Sequence, residues 1–167
     1  LKNLKIFSFG PRPQDFLACN APIKPLFDLG VEVMENSELD LLDVYRSAAG
    51  DRRIKGVAKE MERELGKGNN YPDLLKKLAQ FEVGLVRFYE ANLGASGYGV
   101  FANKCWPSFE KYFEFVPCYV NSRLAARGSP SPTGFTAAPS ANACSRSPAA
   151  GAAGFRLCAT AAGRRSS

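Results

Sequence analysis

The sequence has no histidine among its 167 residues. Histidine is the commonest general base and the commonest nitrogen ligand for metals in proteins, so Ser–His–Asp and Cys–His mechanisms are excluded within this chain. No apolar run is long enough to span a bilayer, and no basic segment leads into an apolar one. We therefore expect neither a membrane partner nor a signal peptide.

Acidic residues and most large apolar residues are missing from the C-terminal 40 positions. Residues 128–167 contain no Asp, Glu, Lys, Val, Ile, Met, Tyr or Trp, and 27 of them are Ala, Ser, Gly or Pro. Such a segment cannot bury enough surface to offset the entropy lost on ordering. The composition predicts an α/β body at 1–127 followed by a disordered C-terminal tail at 128–167.

The net charge of +6 is divided unevenly between these two parts. All 16 acids lie in the body with 18 of the 22 basic residues, whereas the tail carries four arginines and no acid. A basic tail is consistent with a nucleic-acid arm or with an incidental solvated terminus. The sequence displays no lysine cluster and no aromatic stacking platform, so we expect no nucleic-acid partner.

Three cysteines lie in the body, at Cys19, Cys105 and Cys118. Their spacing matches no zinc-binding pattern, and a sparse, odd count is typical of thiols in a reducing compartment. This predicts a cytoplasmic location. The chain opens with Leu1 rather than Met, which predicts that it starts inside a longer protein.

Hydrophobic periodicity predicts an α/β fold with a mainly parallel sheet of about four strands flanked by helices. The first strand, 4–9, has apolar residues at both parities and is expected to be buried on both faces. The other predicted strands are 31–34, 98–103 and, as a strand or an extended link, 117–120. The predicted helices are a broken one within 14–29, 38–48 capped by Ser37, 54–65 ended by Gly66, 72–93, and 107–113.

Two segments that follow predicted strands carry the candidate binding residues. Arg12, after the first strand, suits an anionic or polyhydroxy group, or it belongs to a rigid proline turn. Lys104 and Trp106 follow the third strand, where a Trp face and an ammonium donor suit a sugar. The alternative is a Trp that closes the core beside a solvated lysine.

The remaining polar clusters are weaker candidates. Residues 121–123, Asn-Ser-Arg, either reach a ligand or form a surface turn. Several carboxylate pairs have helical spacing and are predicted to be solvated: Asp40 with Asp43, Glu60 with Glu64, and Glu110 with Glu114. No catalytic residue and no metal ligand is assigned among them.

Several segments in the same order along 1–127 resemble the second domain of L-fucose isomerase-like proteins. The matching stretches are LKNLKI at 1–6, GPRP at 10–13, NKCWPSFEKYF at 103–113 and FVPCYVNSR at 115–123. The resemblance implies an aldose–ketose isomerase with two α/β domains and a domain rich in β structure, assembled as a homo-oligomer. It also implies a monosaccharide substrate of the L-fucose or L-arabinose type and a Mn²⁺ ion that assists an ene-diol mechanism.

The family's metal ligands are a Glu, a later Asp and a His from the last domain, and none of them maps onto this chain. After the position of Gly128 the family continues as Ile-Pro-Val-Ala-Cys-Glu, whereas this chain reads Ser-Pro-Ser-Pro. Loss of one base from ATC-CCC-GTC-GCC yields that reading, so the tail is either a frameshift product or a genuine linker. We expect an isomerase fragment without turnover of its own, with Lys104, Trp106 and Arg12 facing the sugar. The alternative is a non-catalytic binding or subunit-assembly module.

Overall fold

The computed structural model describes residues 3–10, 23–103, 108–127 and 135–137. One to three helices separate each pair of successive strands along the chain. The strands are β1 (Leu4–Phe9), β2 (Glu32–Asn36), β3 (Tyr98–Asn103) and β4 (Phe135–Ala137). The helices are α1 (Lys24–Asp28), α2 (Glu38–Ser47), α3 (Arg53–Leu65), α4 (Leu75–Asn92), α5 (Ser108–Tyr112) and α6 (Cys118–Arg127), with short 3₁₀ turns at Gly66–Gly68 and Pro72–Leu74.

The four strands form one parallel sheet in the order β2-β1-β3-β4. This confirms the predicted α/β class and the number of strands. The fourth strand is not where the sequence suggested, because residues 118–120 begin helix α6. Pro117 suits a helix start, and the N–H of Asn121 closes the first turn onto its carbonyl at 2.9 Å. Val120 and Leu124, four residues apart, are both buried on this helix.

Strand β4 lies in the segment for which no regular structure was expected. Its three residues pair with β3, with Gly99 opposite Phe135 and Phe101 opposite Ala137. A partner strand supplies backbone hydrogen bonds that composition alone does not reveal. The rest of the predicted tail lies outside the described residues.

The strands bury one face of the sheet more completely than the other. In β1, Lys5, Phe7 and Phe9 are buried, whereas the alternate positions Leu4, Ile6 and Ser8 are only half-buried. The prediction of full burial on both faces was therefore wrong for this strand. The buried face packs against α4, where the ring of Phe7 meets Phe88 and Tyr89 at centroid distances of 5.6 and 5.9 Å.

Helix α4 is the centre of the helical layer. Phe81 on this helix is fully buried. It lies at the middle of a second aromatic cluster formed by Tyr45, Phe109, Phe113 and Phe115. Gly84 allows α2 to approach closely, because a Cβ at this position would lie 2.6 Å from the carbonyl oxygen of Val44. Helices α2 and α4 thus pack closely together on the buried side of the sheet.

Local signals at the helix ends act as expected. Ser37 caps α2: its Oγ accepts the N–H of Asp40 at 3.2 Å, and the Asp40 carboxylate accepts the N–H of Ser37 at 2.6 Å. The capping box gives the Asp40 side chain a structural role, whereas the sequence predicted only that it is solvated. Helix α3 ends at Gly66, whose φ of +50° suits glycine.

Candidate functional site

The carboxyl ends of β1 and β3 meet at the edge of the sheet where open α/β folds bind ligands. The two strands are neighbours, and Phe9 at the end of β1 lies opposite Asn103 at the end of β3. The chain leaves β1 for β2 on one side and later returns to β3 on the other. The point between β1 and β3 is therefore the topological switch point of the sheet, the usual ligand position in this architecture.

The three residues predicted to face a sugar are Arg12, Lys104 and Trp106, and all three lie outside the described residues. Gly10, which directly follows β1, precedes Arg12 by two positions, and Asn103, the last residue of β3, directly precedes Lys104. The two candidate segments thus begin from neighbouring points on the same sheet edge. That adjacency was not readable from the sequence, because strand order is set by pairing between distant segments.

Asn36 and Gly10 fix the end of β1. The side chain of Asn36 donates to the carbonyls of Ser8 at 3.2 Å and Met34 at 3.1 Å. The backbone carbonyl of Asn36 accepts the N–H of Gly10 at 2.8 Å. Gly10 has φ +76°, a left-handed conformation that glycine adopts without a steric penalty. The exit of the chain from β1 is therefore held in a defined direction.

Two asparagine side chains meet at the end of β3. Asn121 on α6 donates from Nδ2 to Oδ1 of Asn103 at 3.1 Å. Asn103 is 6 % exposed, and its Nδ2 is buried without a hydrogen-bond partner among the described residues; the same holds for Oδ1 of Asn121. The joined amides thus offer one donor and one acceptor. A single hydroxyl group is able to accept from the first and donate to the second.

Arg123 was expected to reach a ligand or to lie in a surface turn, and the surface turn is wrong because the residue belongs to helix α6. Its side chain is 3 % exposed and contacts three carboxylates from α3 and α4. Nε is 2.8 Å from Glu82, Nη2 is 2.7 Å from Glu60, and Nη1 is 2.5 Å from Glu64. Glu60 and Glu64, predicted to be solvated, are therefore partners of a buried arginine.

The ionisation of this cluster argues for a structural role. Burial acts to lower the pKa of Arg123, but the charge of Glu82 and the bonds from Glu64 and Glu82 outweigh it, so the pKa lies above the usual range. Burial, with a contribution from the nearby Glu64, raises the pKa of Tyr119 to about 12. Neither group exchanges protons near neutrality, so neither suits general acid–base chemistry.

The described residues do not fit the Mn²⁺ site that the resemblance implies. Three carboxylates, Glu60, Glu64 and Glu82, converge on the Arg123 guanidinium. Within the described ranges no group of three or more acidic or cysteine side chains is arranged to hold a metal ion.

Glu114 and Cys118 were also noted in the sequence. Glu114 lies beyond the end of α5 with φ +61° and pairs with Lys77 on α4, so it does not share a helical face with Glu110. Cys118 forms no disulfide. None of the described helices combines the length and the hydropathy needed to cross a membrane.

Comparison with known proteins finds no matching protein-family model and no matching curated protein.

Proposed function

We propose that residues 1–127 are the α/β domain of an L-fucose isomerase-like enzyme and bind part of a monosaccharide at the carboxyl edge between β1 and β3. The observation that carries this proposal is the adjacency of Phe9 and Asn103. It makes the segments containing Arg12 and Lys104 start from the same switch point of the sheet. The joined amides of Asn103 and Asn121 add a donor and an acceptor that suit a sugar hydroxyl.

The chain by itself is not expected to interconvert sugars. The parent reaction requires a divalent metal to polarise the sugar carbonyl and carboxylates to move protons. Glu60, Glu64 and Glu82 are engaged with Arg123 instead, and the sequence after Gly128 lacks any acid. A turnover assay with L-fucose, L-arabinose and Mn²⁺ tests this directly. Clear turnover by the purified 167-residue chain would contradict the expected inactivity, although it would agree with the isomerase assignment.

Sugar binding can be followed through Trp106, the only tryptophan in the chain. Titration with L-fucose or L-arabinose should change its fluorescence saturably if the indole packs against the sugar. Lys104→Ala should weaken the apparent affinity by about tenfold, since a hydrogen bond from a charged donor contributes about 1.5–3 kcal/mol. Lys111→Ala, an exposed lysine on α5, is the matched control and should leave the titration unchanged.

A second pair of variants tests the two amides. Asn121→Ala removes both the hydrogen bond to Asn103 and the free acceptor, so it should weaken sugar binding. Asn92→Ala removes a comparable amide, one that bonds to the carbonyl of Phe88 at the end of α4. Equal sugar affinity in the two variants would remove the amides from the site. Substitution of Lys104 and Trp106 in a full-length relative should likewise lower turnover.

The alternative function is a non-catalytic subunit-assembly module, and exposed apolar residues around α1 favour it. Ile23, Phe27 and Leu29 lie within seven positions and are 37 %, 57 % and 54 % exposed. Apolar groups in this position suit contact with another subunit or domain. Light scattering that finds only monomer, unchanged by Phe27→Ser, would count against this alternative and against homo-oligomer formation.

A cytoplasmic location is part of the same proposal, because the sparse cysteines are typical of a reducing compartment. Fractionation of cells that express the chain would test it.

A further inference from the structure

The solvent side of α3 carries a row of basic residues, which we call the basic face of α3. It consists of Arg52, which directly precedes the helix, with Lys55, Lys59 and Arg63. Steps of three, four and four residues place these positions on one side of the helix. All four are exposed, whereas Ile54 and Met61 on the opposite side are buried.

Two of the three acids of the same helix turn away from this face, and the third, Glu62, is exposed beside it, so four cations face one carboxylate. Glu60 and Glu64 turn toward Arg123, at 2.7 and 2.5 Å. Across the described part of the chain, the ion pairs involve other basic residues and none of the four. Neighbouring cations at i and i+4 repel each other, so this arrangement weakens the helix rather than stabilising it.

The four residues of the basic face of α3 lie in one row along the helix. They span twelve positions, about 16 Å at the helical rise of about 1.5 Å per residue. Gly56 lies among them, and no atom comes within 4 Å of where its Cβ would be. No aromatic or large apolar side chain separates the cations on this side. The surface therefore offers charge without a hydrophobic contact.

We propose that the basic face of α3 binds the phosphate backbone of double-stranded nucleic acid, without reading its sequence. Protein partners are usually held by buried aromatic and apolar side chains, and a helix that lies on a membrane usually adds apolar side chains that insert to its basic residues. Single strands are held by stacking on aromatic rings. The basic face of α3 provides none of these, whereas a rigid row of cations matches a polyphosphate.

This proposal replaces the expectation that the protein has no nucleic-acid partner. That expectation depended on the absence of a lysine cluster in the linear sequence. Helix α3 places on one side basic residues that are three or four positions apart along the chain, and the Arg123 cluster engages Glu60 and Glu64 of the same helix. The proposal is independent of the sugar site, which lies at the carboxyl edge of the sheet.

The test is binding of the full chain to a fluorescent duplex of about 20 base pairs, measured by anisotropy at several salt concentrations. The wild-type chain should bind in low salt, with an affinity that falls linearly on a logarithmic salt scale. The triple variant Lys55→Gln, Lys59→Gln, Arg63→Gln should bind at least about tenfold more weakly. Its salt slope should fall by about 2 to 3, since each phosphate contact contributes about 0.9.

The matched control removes the same charge elsewhere. Arg46→Gln, Lys76→Gln, Lys111→Gln alters exposed residues on α2, α4 and α5, and it leaves the tail arginines in place. The control should keep most of the affinity and most of the salt slope. Equal losses in the two triple variants would overturn the proposal, because diffuse charge would then explain the binding.

Two further results would overturn it. One is the absence of duplex binding by the wild-type chain in low salt. The other is tight binding of poly-glutamate or of phosphatidylserine vesicles that depends on the same three residues while duplex binding does not. If the triple variant unfolds, Lys59→Gln alone should lower the salt slope by about 1, and an unchanged slope would refute the proposal.

Discussion

The side chains on the two faces of the sheet are buried to different degrees. Phe7 and Phe101 are 0 % and 1 % exposed on the side of α4, while their neighbours Ile6 and Val100 on the other side are only half-buried. All these side chains are apolar, so composition does not distinguish the faces. The difference shows that the stability of the described fold depends mainly on the side that packs against α4.

The same side also holds the buried charges. Glu82 is 1 % exposed and Arg123 is 6 % exposed, and they join α4 to α6 beside the aromatic core. Exposed ion pairs such as Lys24 with Asp28 join residues of a single helix. Burial makes the first kind of pair costly to break and leaves the second nearly neutral.

The sharpest test of the difference between the faces is a pair of truncations on β3. Phe101→Ala should lower the free energy of unfolding by about 3–5 kcal/mol, because it empties a packed site between β1 and α4. Val100→Ala, on the half-buried face, should lower it by about 1 kcal/mol because less apolar surface leaves water on folding. Urea denaturation measures both. Similar losses would show that the two faces contribute equally.

The second prediction concerns the buried ion cluster. Arg123→Met should lower the free energy of unfolding by about 3 kcal/mol, because Glu82 would remain buried without its positive partner. Lys24→Met, in an exposed pair, should change it by less than about 0.5 kcal/mol. Adding Glu82→Leu to Arg123→Met should restore part of the stability. If Arg123→Met is as mild as Lys24→Met, the cluster does not hold the helices together.

The third prediction compares two helical glycines. Gly84→Ala should destabilise the protein by about 1–3 kcal/mol, because the new methyl would meet the backbone of Val44 and push α2 from α4. Gly56→Ala, on the open side of α3, should stabilise it by about 0.5–1 kcal/mol through helix propensity. Thermal unfolding of the two variants should shift in opposite directions, and a shift in one direction for both would refute this account.

The smallest expected effect is a pH dependence at the start of α3. Asp51 accepts bonds from the Arg53 side chain and backbone, which lower its pKa to about 2. Its stabilising contribution is complete above its unfolded pKa, which is about 4, and is lost as the pH falls through about 2. The melting temperatures of wild type and Asp51→Asn should therefore differ above about pH 5 and converge in acid. A constant difference would exclude this charge interaction.

Local signals predicted most of the elements. Short apolar runs located β1 and β3, the Ser37 N-cap located α2, and Gly66 ended α3. The error at 117–120 arose because a proline before a short apolar run is compatible with an extended strand and with a helix start. Strand β4 was missed because three residues in an Ala/Ser/Gly/Pro-rich segment carry no period of their own.

The candidate site was predictable only in part. The residues Arg12, Lys104 and Trp106 were chosen because they follow strands, and that reasoning needs no tertiary information. The pairing of Asn103 with Asn121, eighteen positions apart, had no sequence signal. Arg123 was noticed but misplaced, because nothing in its neighbourhood indicates that its partners are on two other helices.

Local sequence was enough to predict the elements from β1 to α5 and their approximate limits, but not α6 or β4, since caps, glycine stops and hydrophobic periods act within a few residues. Only the tertiary structure decided the strand order, the more deeply buried face of the sheet and the gathering of Glu60 onto Arg123 from 63 positions away. These features depend on contacts between segments that are far apart along the chain. By engaging Glu60 and Glu64, such contacts leave Glu62 as the one acid of α3 beside its basic face.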